Sequence, residues 1–567
     1  MGRMFDEHIV RKIQNLDGWW DFCIDPDDTG EEEKWYENLP KKEKTYVPSV
    51  WNTQKELIKY EGKVWYEKSF YSDGGNLRFC FGACLTEAKV WLDGVYLGYH
   101  YGGFSQFEFI ASDVYSGYHK LTVCVDNHFD EHSIPQRKVD WYHYGGITRS
   151  VSVETLNGIC VLANKLIYEL SSDLKDVTGK FDIELYNSEN TSCKTKLNIK
   201  TDEIDVFECE VELNAKETKI ISSDIFNLKN VKLWDINLPN LYNVYITTDT
   251  DDLFDRVGFR KISVENKKVM LNNKEIELRG VNRHEEYPEF GFAFPKTLIK
   301  RDVDLILEMG CNSIRGSHYP NMREFVDYLD ENGILFWSEI PIWGVGFSEE
   351  ALMDEVIINR GFDMHKEMVK YYYNHPSIIM WGMHNEILTN VKAGYDISKK
   401  YYKYLKENGG NRLVVYASSH ALTDICFEFT DVICLNEYQG WYGGSIDTWE
   451  SFVDNFVEYR NKLGFENKPV IISEFGAAAI YGWHDSDKIW WSEEYQAELI
   501  SHALSVFHSN ENVTGSFIWQ FSDMRTCKEA GMNRARGFNN KGMVNEHRRP
   551  KLAFHAAKQK YNEFKNE

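Results

Sequence analysis

The chain has 567 residues, 43% of them hydrophobic, which is too long for one core and apolar enough to fold throughout, so two to four domains are expected. A net charge of −24 argues against nucleic acid and anionic membrane as partners, but not against a small anionic substrate whose pocket supplies its own cations. The 11 cysteines are odd in number, scattered and without a CxxC pair, which reads as reduced thiols of a cytoplasmic protein.

Taken in chain order, the stretch Met1 to Glu7 has no apolar h-region, so no signal peptide is expected, and no later stretch is long and apolar enough to span a membrane. The run Glu31-Glu32-Glu33 reads as a solvated loop. Residues 1–155 read as strands and turns: Val64-Trp65-Tyr66, Leu121 to Val125, and a hairpin from Lys89 to Gly98 with Asp93-Gly94 at its turn. Residues 156–262 continue as β structure, with Phe181, Ile183 and Leu185 alternating with polar neighbours. Two antiparallel sandwiches in series are therefore expected.

From residue 263 to 567 the pattern changes to short apolar runs separated by helices, the signature of parallel βα units. The expected strands are Glu277–Arg283, Asn312–His318, Ile334–Ile340, Ile378–Glu386, Leu413–Ser418, Val432–Tyr438, Val470–Phe475 and Ser516–Phe521, enough to close a barrel of eight. Ile299, Val303, Ile306 and Met309 form a helical stripe stopped by Gly310, and Asn321 with Glu324 reads as a capping pair. An open doubly wound sheet would want a Gly-rich phosphate turn after the first strand, and Arg279 to His284 is not one. No metal site is expected, since His284-Glu285-Glu286 lacks the second histidine of a zinc helix.

Two of these strands end in glutamate, Glu386 on the fourth and Glu474 on the seventh. In a (β/α)₈ barrel the C-terminal strand ends face the active site, and two carboxylates meeting there equip it to cut a glycosidic bond. At close range an ionised Glu474 raises the pKa of Glu386, which suits Glu386 as proton donor and Glu474 as attacking group. Asn385, beside Glu386, is placed to bond the sugar or order the acid.

Further motifs follow in order over nearly the whole chain. Leu233-Trp234-Asp235, Pro239-Asn240-Leu241-Tyr242 and Val257-Gly258-Phe259-Arg260 close the second β region. Leu278-Arg279-Gly280-Val281-Asn282-Arg283-His284-Glu285 opens the barrel, Arg315-Gly316-Ser317-His318-Tyr319-Pro320 lies on its second strand, and His375-Pro376-Ser377 leads to Trp381 and Asn385-Glu386. With these residues the chain resembles glycoside hydrolase family 2. The resemblance implies a jelly-roll-like sugar-binding sandwich (1–155), an immunoglobulin-like sandwich (156–262) and a catalytic TIM barrel (263–567). It also implies a retaining mechanism with Glu386 as acid/base and Glu474 as nucleophile, no cofactor, and a dimer or tetramer as the common assembly.

Within the family the residues resemble the β-glucuronidase branch. Tyr438, Trp441 and Tyr442 match its sixth-strand motif, and Asn539 with Lys541 matches the Asn-x-Lys pair that grips the sugar carboxylate. Asp140 resembles a first-domain residue that reaches the sugar, Trp519 an aromatic wall and His318 a sugar contact. One departure stands out: Ala535 occupies the place of an arginine, flanked by Arg534 and Arg536, either of which could serve the carboxylate after a one-residue shift. The implied activity is a retaining exo-β-glucuronidase. β-Galacturonides, neutral sugars such as β-galactosides, and an inert carbohydrate-binding barrel are the alternatives. After Pro341-Ile342-Trp343-Gly344 the chain soon reads as helix, so an open groove without a long lid is expected. The chain stops soon after a last helix around Ala553 to Lys565, leaving no expected further domain.

Overall fold

Period-two alternation of apolar and polar side chains builds the first two units. The structure, a computed structural model, describes residues 2–202 and 204–565; Met1, at the start of the first expected unit, Glu203 in the second, and Asn566 and Glu567 at the end of the third lie outside the described residues. Nearest the N-terminus, a six-stranded antiparallel sheet and a four-stranded one share a core in which Trp20, Tyr66, Val90 and Val123 meet Leu77, Phe79, Phe81 and Val153. The expected hairpin is there: Asp93 (φ 49°) and Gly94 (φ 81°) turn the chain so that Leu92 pairs with Val95. In the next unit Phe181, Ile183 and Leu185 pack against Leu197, Ile199, Val244 and Ile246 of a facing sheet. Each sandwich thus buries one face of every strand, as alternation demands.

The last unit is a closed barrel of eight parallel strands: β1 (Leu278–Arg283), β2 (Ser313–Gly316), β3 (Leu335–Glu339), β4 (Ile378–Asn385), β5 (Leu413–Ser418), β6 (Ile433–Asn436), β7 (Val470–Phe475) and β8 (Val513–Ile518). Leu278 pairs with Gly515 and closes the ring. The eighth strand begins and ends earlier than expected. Val513 already pairs with Val470, and beyond Ile518 the backbone of Gln520 donates to the Lys541 carbonyl instead of a neighbouring strand. Trp519 therefore stands just past the strand.

The helical stripe lies as read: Ile299, Val303, Ile306 and Met309 are buried, and Gly310 (φ 99°) ends the helix where an added Cβ would meet Tyr561 at 2.8 Å. Asn321, however, does not cap the following helix. Met322 holds the N-cap position and its N–H donates to Glu285 (2.8 Å), while Arg283 draws the Asn321 carbonyl oxygen into the barrel (3.1 Å). A buried arginine is a stronger competitor for an amide oxygen than a neutral backbone N–H. After β3 a short helix already begins at Glu349 and a long one at Glu355. All eleven cysteines are free thiols, most of them buried. Among the described residues no helix is long and apolar enough to cross a membrane.

Arg260 joins the second sandwich to the base of the barrel. Fully buried, it donates to the carbonyls of Pro376 (3.0 Å), Asn411 (2.6 Å) and Ile378 (2.6 Å), next to Trp234, whose indole N–H donates to the Asp330 carbonyl (2.8 Å). Arg260→Met keeps the stem but leaves the buried Pro376 carbonyl without its donor, while Ile378 retains Arg412 Nε (3.1 Å) and the carbonyl of exposed Asn411 can turn to solvent, so a cost of about 1–3 kcal/mol is expected. A clear fall in the urea midpoint is expected, with little change in kcat/KM for the molecules that remain folded. An unchanged midpoint would show that this joint carries no load.

Candidate active site

β4 ends at Asn385, and Glu386 turns out of the ladder in the left-handed region (φ 51°), its N–H held by the Ala417 carbonyl at 2.8 Å. That conformation costs a non-glycine residue about 1–2 kcal/mol. Here it aims the carboxyl over the barrel mouth, where Oε1 accepts from Asn436 Nδ2 at 2.8 Å. Asn436 ends β6 and pairs across the ladder with Glu474 on β7, so one asparagine spans the two carboxylates.

Arg315 on β2 organises what lies beneath. Its buried guanidinium donates to Glu474 Oε1 (2.8 Å), to both Glu339 oxygens (3.0 and 2.9 Å), to Asn282 Oδ1 (3.1 Å) and to Asn385 Oδ1 (2.7 Å). Tyr438 donates its hydroxyl to the other Glu474 oxygen at 2.7 Å. From Glu386 to Glu474 the path runs through hydrogen bonds of Asn436, Asn385 and Arg315. Both catalytic candidates thus sit on one network at one end of the barrel.

Their proton affinities differ for physical reasons. Burial pushes Glu386 up to about 8, and the charge of Glu474 adds to the rise. Burial also pushes Glu474 up, to about 7, but Arg315 and the Tyr438 hydroxyl pull it back. The proton of the pair therefore resides on Glu386, while Glu474 keeps the negative charge that Arg315 faces.

His318 follows on the loop after β2. Its Nδ1 lies 2.7 Å from Glu339 Oε1, which places the ring proton there, and burial beside Arg315 holds the imidazole well below its usual pKa and neutral. Among the described residues Nε2 of His318, which faces Glu474 Oε1 at 3.9 Å, Nε2 of His284 and Nδ2 of Asn385 are buried with no hydrogen-bond partner. Buried polar atoms are usually bonded, and these three stand together at the barrel mouth with capacity to spare. Trp519 stacks on His318 (5.1 Å between centroids, 21°), and Trp141 packs on both histidines at 5.6 Å.

A second cluster, of opposite sign, stands beside the first. Asp140 from the first sandwich accepts a fork of bonds from Arg534 (Nη2 at 2.5 and 2.6 Å, Nε at 3.1 Å) and one from Asn539 Nδ2 at 2.9 Å. Burial opposes its charge, but Arg534 and Lys541 prevail and hold Asp140 below the ordinary carboxylate range. Lys541 is 1% exposed. It donates to the Tyr442 hydroxyl (2.8 Å) and lies 4.8–5.6 Å from the ring centres of Tyr442, Tyr438 and Trp441, an aromatic cage. Among the described residues no carboxylate forms an ion pair with it, and burial lowers its pKa. Asp140 cancels one of the two cations and leaves the other without a counter-charge.

The structure thus gathers Asp140, His318, Asn385, Tyr438, Trp441, Tyr442, Trp519, Arg534, Asn539 and Lys541 around Glu386 and Glu474. Arg536 is the exception. It binds Glu546 (2.8 Å) and Asn540 (2.8 Å) and takes no part in the Asp140 cluster, because the Glu546 carboxylate holds its guanidinium elsewhere. The partner that orders Glu386 is Asn436 rather than Asn385. Asn436, Asn282, Glu339 and Arg315 escaped sequence reasoning as site residues. Arg315 and Glu339 each carried a signal, a charge inside an apolar strand.

The model for the TIM barrel domain of glycosyl hydrolases family 2 matches residues 262–566, that for the family's sugar binding domain matches 13–157, and a third family 2 model matches 165–260. A β-glucuronidase of Paenibacillus borealis is 27% identical over 98% of both chains. A β-galacturonidase of Eisenbergiella tayi, solved with galacturonate, superposes with a TM-score of 0.93 at 32% identity over 99% of each chain. A β-glucuronidase of Ruminococcus gnavus, solved with D-glucuronic acid, gives 0.87 at 27%, again over 99% of each.

A carboxyl whose folded pKa lies above its ordinary value favours the fold in its protonated form. For Glu386 that contribution is complete below pH 4.5 and is lost as pH rises through about 8. Glu386→Gln, neutral throughout, is expected to match the parent in acid and to become the more stable protein on the alkaline side, by chemical denaturation at a series of pH values. Parallel stability curves would refute the raised pKa.

Proposed function

This chain belongs to glycoside hydrolase family 2, and from that premise we propose that it is a retaining exo-β-glucuronidase, releasing terminal β-D-glucuronate by double displacement. The observation that carries the reading is Lys541: a cation, caged by aromatic rings, buried and without a carboxylate partner among the described residues. A buried unpaired charge is costly unless the ligand supplies its counter-ion. The C6 carboxylate of a uronic acid is such a counter-ion, with Asn539 as neutral donor.

In this reading Glu474 attacks the anomeric carbon while Glu386 passes its proton to the departing glycosidic oxygen. The bond to the aglycone breaks as the ester to Glu474 forms. Glu474 is then neutral, and the repulsion that kept Glu386 protonated is gone. Glu386, now a carboxylate, takes a proton from water as its oxygen attacks the anomeric carbon, and Glu474 leaves with its charge restored to Arg315. The orphaned nitrogens of Asn385, His318 and His284 bind ring hydroxyls and hold the sugar in register.

A second reading has its own support. Ala535 stands where the branch carries arginine, and Arg534 reaches the cluster through Asp140 instead. The β-galacturonidase of Eisenbergiella tayi also shares more identity with this chain, 32%, than the Ruminococcus gnavus β-glucuronidase, 27%. Glucuronate and galacturonate differ only in the direction of the 4-hydroxyl, so the same clamp serves either. The ratio of kcat/KM on nitrophenyl β-glucuronide and β-galacturonide decides between them. Faster turnover of nitrophenyl β-galactoside or β-glucoside would reject both.

Glu474→Ala is expected to reduce turnover of every substrate to background. Glu386→Ala is expected to spare nitrophenyl leaving groups, which need little protonation, far more than alkyl ones. Equal losses on the two would contradict the acid role. Lys541→Ala is expected to cost about 2–5 kcal/mol in kcat/KM with a uronide, from leaving a buried carboxylate unpaired. The loss with a neutral glycoside is expected to be far smaller, and equal losses would remove the clamp.

A further inference from the structure

Outside the catalytic pocket, three groups of ligating side chains among the described residues bring their donor atoms within 4.8 Å of one another. Two are already satisfied. Asp251, near His8, is held by Arg11 (3.0 Å), and its neighbour Asp252 accepts backbone N–H groups of residues 9 to 11. Asp327 is held by Arg3 (3.0 Å), and Asp330 accepts from His375 (2.6 Å) and the Ser377 N–H (2.9 Å).

The third group, His143, Cys527 and Glu529, differs. Among the described residues Glu529 Oε2 is buried with no hydrogen-bond partner, and the cations facing Oε1, Arg137 and Lys528, stand at 3.8 Å. His143 Nε2 lies 2.5 Å from the Arg137 carbonyl, so the ring proton is on Nε2 and the lone pair is left on Nδ1. A ligating histidine is anchored in this way, with its second nitrogen donating to a carbonyl. Cys527 Sγ rests against the Val139 carbonyl at 2.8 Å.

From this arrangement we infer that His143, Cys527 and Glu529 form a site for a zinc-class divalent cation, with water in the fourth position. Nitrogen, sulfur and oxygen donors select a borderline-soft ion over magnesium or calcium. A thiolate and a carboxylate cancel the two charges of the ion. On binding, the Sγ–metal bond forms, the bond from S–H to Val139 is given up, and the thiol proton leaves to solvent. The location gives the site a purpose. His143 stands on the segment that bears Asp140, and Cys527 and Glu529 on the one that leads to Arg534, Asn539 and Lys541. A bound ion staples the sandwich segment to the barrel loop that it meets through the Asp140–Arg534 pair. The inference rests on these three side chains and is independent of which sugar the pocket takes.

The test uses the full chain, freed of metal with a chelator and titrated with zinc chloride by calorimetry in two buffers. One equivalent bound, with net proton release and a higher thermal midpoint, is expected. Cys527→Ser and His143→Gln are each expected to weaken binding by more than about 100-fold, beyond the effect of losing an outer-shell partner. Cys193→Ser, at a partly exposed thiol elsewhere, is expected to bind as the parent does. Cobalt(II) in the unmutated protein is expected to show a thiolate-to-metal charge-transfer band, a reading that stands even if a variant fails to fold. Absence of stoichiometric zinc, absence of that band, or a Cys527→Ser protein that still binds one equivalent overturns the site.

Discussion

A single buried guanidinium sets the electrostatics of the barrel mouth. Removing Arg315 from water costs several kcal/mol, and only a full set of acceptors offsets that. The chain supplies Glu339 with both oxygens, Glu474, and the amide oxygens of Asn282 and Asn385. Those residues come from strands β1, β3, β4 and β7, so the arginine ties strand ends that nothing local would align. Its charge is shared between two carboxylates, Glu339 and Glu474. A third, Glu386, is buried beside them, and burial together with the charge of Glu474 makes its ionisation costly.

The proposed uronate clamp inverts this logic. There two cations, Arg534 and Lys541, share one carboxylate, Asp140. One mouth thus carries an excess of negative charge where an anomeric carbon would gain positive character, and an excess of positive charge where a sugar carboxylate would lie. The overall charge of −24 says nothing about either, because water and salt screen the exposed charges while neighbouring buried charges interact strongly in the low-dielectric interior. Asp140 and Trp141 come from the first sandwich, so docking of that sandwich completes the pocket.

The buried orphans and the strained Glu386 tell the same story from the side of stability. A left-handed glutamate, unpartnered nitrogens on His284, His318 and Asn385, and a caged lysine are each unfavourable in the free protein. They meet at one barrel mouth, and the two sandwiches and barrel core supply the stability that permits it.

Much was legible in the sequence because it is written in local periodicity. Hydrophobic alternation marked the two sandwiches, and apolar runs between helical stripes marked the barrel strands, with the β8 boundary misjudged where ladder pairing overrides composition. The two glutamates were legible because strand ends face the mouth whenever such a barrel closes. Tertiary structure alone decided which neighbour each charge acquired. Asn436 rather than Asn385 reaches Glu386, Arg534 rather than Arg536 reaches Asp140, and Arg283 takes Asn321 from the helix it was expected to cap. Such choices join residues far apart along the chain. They depend on distances of a few tenths of an ångström and on competition among buried donors, neither of which spacing along a chain can encode.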